Sequence, residues 1–125
     1  MKKVIHTDLA PAAIGPYSQA IQYGNLVFVS GQIGFDPQTM TIASDFAMEV
    51  KQVFLNLKAV VEASHHTLTD IVKLTIYLTD MADFPVVNAE MEACFVAPYP
   101  ARATIAVKAL PRGARVEVEA VVGSG

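Results

Sequence analysis

The sequence contains a single cysteine, Cys94, which excludes an intrachain disulfide and a thiol cluster for zinc or iron–sulfur binding. A reducing compartment suits such a chain. The sequence also lacks any run of about eighteen apolar residues, the length that a membrane span requires. After Lys2 and Lys3 the N-terminus turns polar and acidic, so no signal peptide is predicted. We therefore expect a cytoplasmic protein without a membrane partner.

Positive charge is sparse, whereas apolar residues are abundant. Nine Lys and Arg against twelve Asp and Glu give a net charge of −3, and no basic run exceeds Lys2-Lys3. This balance disfavours binding to nucleic-acid backbones. Hydrophobic residues make up 53% of the chain and mean hydropathy is +0.40, more than a monomer of 125 residues needs for its core. The surplus predicts a subunit interface.

The chain is predicted to form one domain over residues 1–125, because no repeat, low-complexity tract or charge block divides it. Residues 123–125 are expected to form a flexible tail. The segment Tyr23-Gly24-Asn25 predicts a tight hairpin turn between the first two strands. β-Branched and alternating patterns predict strands at 18–22, 26–33, 71–78, 104–109 and 115–122.

Two helices are predicted from apolar residues that recur every three or four positions. The first helix is capped by Ser44 or Asp45, and the second follows Asp83 with Pro85 in its first turn. Their apolar stripes are Phe46, Val50, Val53, Phe54, Leu57, Val60 and Val61, and then Phe84, Val87, Met91, Cys94 and Phe95. The element order predicts an α+β fold, with a mostly antiparallel sheet that carries both helices on one face and a partner subunit on the other.

Three short segments of the sequence carry residues suited to binding or catalysis. Arg102 lies between a proline-rich approach and an apolar strand, where a guanidinium can bind a carboxylate with two parallel hydrogen bonds; an exposed surface arginine is the alternative. Glu117 and Glu119 alternate with valines and share one face of the last strand, as a functional pair or as solvated charges. Ser30 and Gly31 end an apolar strand, where glycine admits a ligand close to the backbone and serine supplies a hydroxyl.

The histidines and the cysteine are interpreted as structural. His65 and His66 are adjacent, so they lack the one-turn spacing of a helical metal pair, and His6 is expected on a strand surface. Cys94 falls in the apolar stripe of the second helix, where cysteine behaves as a small hydrophobic residue. No metal site is predicted.

Five segments, in order, resemble the signature blocks of the RidA (YjgF) family of imine deaminases. They are Gly15-Pro16-Tyr17-Ser18-Gln19-Ala20, the block 27–34, Asn88, Pro100-Ala101-Arg102 and the block 116–120. The resemblance runs from residue 3 to residue 122 and implies a chorismate-mutase-like α+β fold. It also implies a homotrimer whose sheets pack into a barrel, with three clefts between subunits. The implied reaction is hydrolysis of 2-iminopropanoate and 2-iminobutanoate to 2-oxo acids and ammonia without a cofactor, a form of metabolite damage control.

The resemblance also assigns roles to residues. Arg102 matches the family's carboxylate-binding arginine, and Glu117 matches the acidic residue that positions water. The matching cleft residues are Tyr17, Ser30, Gly31 and Asn88. Thr104 stands where cysteine is common in the family, and it is expected to contact ligand through its backbone.

Two other functions stay open from the sequence. One is a regulatory module that binds 2-oxo acids or another small metabolite in the same cleft without turnover, an alternative that Thr104 keeps open. The other is the RNA-cleaving, translation-inhibiting activity ascribed to some family members, which the acidic charge balance disfavours.

Overall fold

The computed structural model describes residues 1–123, and in this range the chain is an α+β domain with a mixed six-stranded sheet and two α-helices. No helix among these residues is long and apolar enough to cross a membrane. The strands are β1 (Lys3–Ile5), β2 (Ala20–Tyr23), β3 (Leu26–Ile33), β4 (Ile71–Leu78), β5 (Ala101–Ala106) and β6 (Val116–Gly123). The helices are α1 (Phe46–Ala63) and α2 (Phe84–Cys94).

The sheet has the strand order β1-β2-β3-β6-β4-β5. Neighbouring strands are antiparallel except β4 and β5, which run parallel because the chain between them crosses over through α2. The predicted mostly antiparallel sheet is therefore confirmed. Gly123 ends β6 and pairs with Leu26, whereas residues 124 and 125, predicted with it as a tail, lie outside the described residues.

Three strand positions differ from the prediction. β1 is an additional strand that pairs with β2 at the edge of the sheet, and its three residues are too few to show an alternating pattern. β2 begins at Ala20, two residues later than expected. β5 begins at Ala101 rather than at Thr104, because pairing with β4 extends the strand and places Arg102 opposite Leu74.

Both helices begin where the sequence predicts. The Asp45 side chain caps α1 by accepting a hydrogen bond from the backbone N–H of Met48 at 3.2 Å. The buried apolar face of α1 consists of Val50, Val53, Phe54, Leu57, Val60 and Val61. Just after α2, the Phe95 ring meets the Phe54 ring edge to face, with centroids 6.0 Å apart. The two helices thus share one core with the sheet.

The sheet has one face covered by the helices and one open face. Alternate residues of β4 and β6 are buried on the covered face: Leu74, Ile76, Leu78, Val116, Val118, Ala120 and Val122. The residues between them define the open face together with one residue of β3: Phe28, Lys73, Thr75, Tyr77, Glu117, Glu119 and Val121. Phe28 is 47% exposed there, so part of the apolar surplus lies on this surface.

Candidate active site

Arg102 lies on the covered face, at the edge strand of the sheet. It pairs in register with the buried Leu74, and its Nη1 donates to Asn88 Oδ1 on α2 at 2.8 Å. The same nitrogen lies 3.5 Å from Met91 Sδ, and the guanidinium carbon is 4.9 Å from the centroid of the Phe84 ring. These contacts fix the plane of the guanidinium while leaving several of its five donors for a bound carboxylate. A cavity of about 380 Å³ opens beside it, lined by Asn88, Met91, Glu92, Tyr99, Pro100 and Arg102.

Glu117 lies on the open face, against the backbone of β3. The pairing of β3 with β6 shifts register between Val29 and Gln32, and Gly31 lies within this irregular stretch. A Cβ atom at Gly31 would be only 1.9 Å from Glu117 Oε2, so glycine alone allows the carboxylate to rest on the strand. A second cavity of about 530 Å³ contains both residues, and its polar lining includes Tyr17, Gln19, Ser30, Gln32, Arg112, Glu117 and Glu119.

Two hydroxyl groups in the Glu117 cavity are already engaged with the backbone. Ser30 Oγ donates to Ser18 O at 2.6 Å, which leaves the lone pairs of Oγ free to accept a hydrogen bond. Tyr17 Oη accepts from the backbone N–H of Ile14 at 3.3 Å, which leaves its own proton free to be donated. The cavity therefore offers one oriented acceptor and one oriented donor beside a carboxylate.

The carboxyl of Glu117 binds its proton more tightly than an ordinary glutamate. Burial raises its pKa above the usual 4.5, and the negative charge of Glu119 raises it further. Glu119 is held in turn by Tyr77, whose phenol donates a short hydrogen bond to Glu119 Oε1. This bond, with burial, raises the pKa of Tyr77 to about 12. The raised pKa makes Glu117 a better proton acceptor than an ordinary glutamate.

The predicted site residues fall into two separate groups within one chain. Arg102 and Asn88 lie together on the covered face, whereas Glu117, Gly31, Ser30 and Tyr17 surround the open-face cavity. Glu117 pairs with Tyr77 of β4, whose other neighbour in register is Ile105, three residues beyond Arg102. Strand spacings therefore separate the Cα atoms of Arg102 and Glu117 by roughly 14 Å, with their side chains on opposite faces.

Thr104 belongs to the Arg102 side of the sheet. It lies two residues after Arg102 on the same face of β5, opposite the buried Ile76. Its Oγ1 is buried and has no hydrogen-bond partner within residues 1–123. β5 is the last strand of the sheet, so the backbone groups on its outer side have no strand partner in the described part of this chain. The outer backbone of β5 is therefore available to a ligand or a neighbouring chain, whereas the Thr104 hydroxyl is enclosed by the protein.

The residues interpreted as structural have local partners. Ser64 Oγ and His66 Nδ1 are 3.0 Å apart, and His65 takes a positive φ of 66° just after α1. Burial, followed by a hydrogen bond to Glu90, raises the pKa of Cys94 to about 11, so this thiol is protonated at neutral pH. Residues 1–123 contain no group of three or more histidine, cysteine or acidic side chains that could hold a metal ion.

Sequence reasoning missed Tyr77, the hydrogen-bond partner of Glu119, and several residues that line the two cavities. Tyr77 showed one usable signal, since alternation places it on the polar face of its strand, but the pairing of β4 with β6 has no local signature. Glu92 and Tyr99 join the Arg102 cavity only because α2 folds back beside β5. Arg112 reaches the Glu117 cavity from the tight turn Pro111–Gly113, where it takes a φ of 60°.

The fold and the two cavities define a small α+β protein with an arginine site at the sheet edge and a carboxyl site on the open face. Residues 7–123 match the family model described as endoribonuclease L-PSP. A deaminase of Dermatophagoides farinae named for 2-iminobutanoate and 2-iminopropanoate is 48% identical over 122 residues, covering 97% of this chain and 95% of the relative. An identically named Escherichia coli K12 protein is 44% identical over 124 residues, covering 97% of each.

A solved structure gives the same result. The crystal structure of RidA from a Psychrobacter species superposes with a TM-score of 0.94 at 49% identity, covering 97% of this chain and 98% of that one. The chain therefore belongs to the RidA (YjgF/L-PSP) family, as the signature blocks predict.

Proposed function

We propose that the protein hydrolyses 2-imino acids to 2-oxo acids and ammonia, as a homotrimer in which the Arg102 cavity of one subunit adjoins the Glu117 cavity of the next. The names of its relatives support the reaction type. The observation that carries the shared site is the position of Arg102 and Glu117 on opposite faces of one sheet. A contact between unlike surfaces of neighbouring copies joins the two groups, and closure of such contacts gives a ring.

The surfaces of the chain favour this assembly. The open face exposes four large apolar side chains, and burial of these side chains against another subunit is favourable. They are Val4, Tyr23, Leu26 and Phe28. The unpaired edge of β5 carries Arg102 and offers backbone hydrogen-bonding groups to a neighbour. Packing of the three sheets into a barrel covers the apolar residues and places each β5 edge next to another subunit.

The chemistry needs only water and the side chains of the shared site. Arg102 binds the substrate carboxylate through two charge-assisted hydrogen bonds and orients the imine carbon. Glu117 takes a proton from water as its oxygen bonds to that carbon, and the electron pair of the C=N bond moves to nitrogen. Glu117 then returns this proton to nitrogen, which gives a carbinolamine. A second proton passes from the carbinolamine hydroxyl to nitrogen by way of the same carboxylate as the C–N bond breaks, so ammonia leaves and the carbonyl forms. Ser30 and the backbone near Thr104 accept hydrogen bonds from the imine nitrogen or the developing amine.

The test uses imines generated in the cuvette by an amino-acid oxidase, with ammonia release as the readout. Arg102→Ala is expected to lower kcat/KM at least about 30-fold, since truncating one member of a buried charge pair costs about 2 kcal/mol or more. Arg102→Lys keeps the positive charge but loses the planar guanidinium, so its kcat/KM should lie between those of wild type and Arg102→Ala. Lys2→Ala is the control, because Lys2 is exposed and lines neither cavity. Wild-type turnover in Arg102→Ala excludes the assignment.

Subunit mixing tests the shared location of the site. Arg102→Ala and Glu117→Ala trimers are each expected to be inactive, but refolding them together creates interfaces with both groups intact. Random mixing at equal amounts restores about a quarter of the sites in a cyclic trimer. A mixture as inactive as its components places both groups in one subunit and contradicts the proposal.

A binding module without turnover is the second candidate, and one observation favours it. Arg102 keeps donors free beside a cavity of about 380 Å³, so a 2-oxo acid can be held there by its carboxylate without any reaction. Calorimetric binding of 2-oxobutanoate together with no ammonia release above the uncatalysed rate identifies this function.

A further inference from the structure

Tyr77, Glu117 and Glu119 form a compact group at the centre of the open face. Tyr77 of β4 lies directly opposite Glu117 of β6, yet its hydroxyl donates to the carboxylate one pair further along, Glu119 Oε1. Glu117 and Glu119 are two residues apart on one strand, so their Cα atoms are separated by roughly 6.6 Å. Glu117 and Glu119 lie on the same face of β6, but the Tyr77 hydroxyl binds only Glu119, so the two carboxyl groups have different surroundings.

The surroundings leave few other charges to set the protonation of this group. Within residues 1–123, the open-face cavities around the two glutamates are lined by the titratable or charged groups Tyr17, Lys73, Arg112, Glu117 and Glu119. Lys73 lies on the Glu119 side, since it pairs with Val121, and Arg112 lies on a turn at the rim of the Glu117 cavity. From β3, the neighbours are the uncharged Ser30 and Gln32.

We propose that Tyr77 and Glu119 are positioning residues: the phenol holds the Glu119 carboxylate in place beside Glu117, and the charge of Glu119 makes Glu117 the carboxyl that exchanges the proton with substrate. This inference rests on the proposed function, because it explains the proton affinity of Glu117, the group that takes a proton from water in the proposed hydrolysis. A nearby anion favours the protonated form of a neighbouring carboxyl.

The titration properties agree with the geometry. The pKa of Tyr77 is raised to about 12, chiefly by the bond to Glu119, so the phenol remains a donor at all working pH values. The pKa of Glu117 is raised first by burial and then by Glu119. Removing the charge of Glu119, or the phenol that holds this carboxylate beside Glu117, therefore lets Glu117 stay ionised at lower pH.

The test compares Glu119→Gln and Tyr77→Phe with wild type and with Glu62→Gln, a control that removes an exposed carboxyl on α1. The carboxyl carbon of Glu117 is followed by NMR as a function of pH in each intact protein. Its titration should move to lower pH in Glu119→Gln and, by less, in Tyr77→Phe, with no change in Glu62→Gln. An unchanged Glu117 titration in Glu119→Gln overturns the proposal, and an unchanged one in Tyr77→Phe removes the role of the phenol.

The pH profile of kcat/KM for imine hydrolysis gives the functional readout. Below the midpoint of the acid limb, Glu119→Gln should keep about three- to tenfold more of its neutral-pH activity than wild type, the factor that a like charge at this spacing produces. A shifted NMR titration with an unshifted acid limb shows that Glu117 is not the group that controls the rate. That outcome contradicts the role of Glu117 in the proposed function but still supports the electrostatic coupling between Glu119 and Glu117. Failure of the proposed function can therefore be distinguished from failure of the coupling.

Discussion

Gly31→Ala is the sharpest probe of the carboxyl cavity, because the structure gives the size of the perturbation. A Cβ at this position would lie 1.9 Å from Oε2, 2.8 Å from Cδ and 3.1 Å from Cγ of Glu117. An ordinary contact starts at 3.4 Å, so the carboxylate must retreat by about 1.5 Å. The backbone itself presents no obstacle, since Gly31 is not among the glycines with positive φ.

The expected cost falls mainly on catalysis. A misplacement of about 1 Å in a catalytic group lowers the rate about 100-fold, so kcat for imine hydrolysis should fall by about two orders of magnitude. Overpacking of this kind typically also costs about 1–3 kcal/mol of stability. The assays are ammonia release and urea denaturation monitored by circular dichroism, with size-exclusion chromatography to show that the assembly is unchanged.

A double-mutant cycle supplies the control for Gly31→Ala. The three atoms nearest to the added Cβ all belong to Glu117, so the loss of stability should largely vanish in a Glu117→Ala background. Near-wild-type activity in Gly31→Ala refutes the claim that the carboxylate must rest on the strand to work. An equal loss of stability in both backgrounds shows that the added methyl group acts elsewhere.

Two further predictions concern stability. Glu49 is fully buried and accepts hydrogen bonds from Arg115 N at 2.8 Å and Arg115 Nε at 2.7 Å, whereas the Arg115 side chain is 39% exposed. Glu49→Gln should therefore cost about 2 kcal/mol in urea denaturation, the size of a lost hydrogen bond to a charged group, and an unchanged midpoint contradicts this. The pKa of Glu117 is higher in the folded than in the unfolded protein, so the protonated carboxyl contributes to the stability of the fold. This contribution is fully present below pH 4.5 and is lost as the pH rises through the folded-state pKa. Glu117→Gln should therefore unfold at a higher urea concentration than wild type at pH 7 and not at pH 4, and equal midpoints at pH 7 oppose the stated cause.

Local sequence signals predicted most of the elements for identifiable reasons. The period of apolar residues and a capping aspartate were sufficient for α1, because both signals arise within the helix itself. The alternation in 71–78 matched β4 in full, since this strand has one buried and one polar face. β1 and the start of β5 are stabilised by pairing with distant strands, and the residues involved show no pattern of their own.

The strand positions of the candidate site residues were largely predictable from the sequence, but their arrangement in space was not. Alternation along 115–122 placed Glu117 and Glu119 on one face, and the structure agrees. The face on which Arg102 lies depends on its register with Leu74, and the distance from β5 to β6 depends on the strand order, in which β4 lies between them. Strand order is a long-range property, so the separation of Arg102 from Glu117 had no signal in the sequence.

Glu117 and Arg102 are not held equally firmly within one chain, and this difference gives a reason why the proposed reaction benefits from assembly of the subunits. Glu117 lies on β6, which is paired on both sides, and it is further fixed by contact with Gly31, so its carboxylate is preorganised within one chain. Arg102 lies on an edge strand and is steadied mainly by Asn88 of α2. In the proposed trimer, a neighbouring subunit covers this edge, which removes an exposed strand edge and stiffens the less supported half of the site. Because substrate orientation provides most of the expected catalytic gain, the contact that buries the edge of β5 is also the contact that makes Arg102 effective.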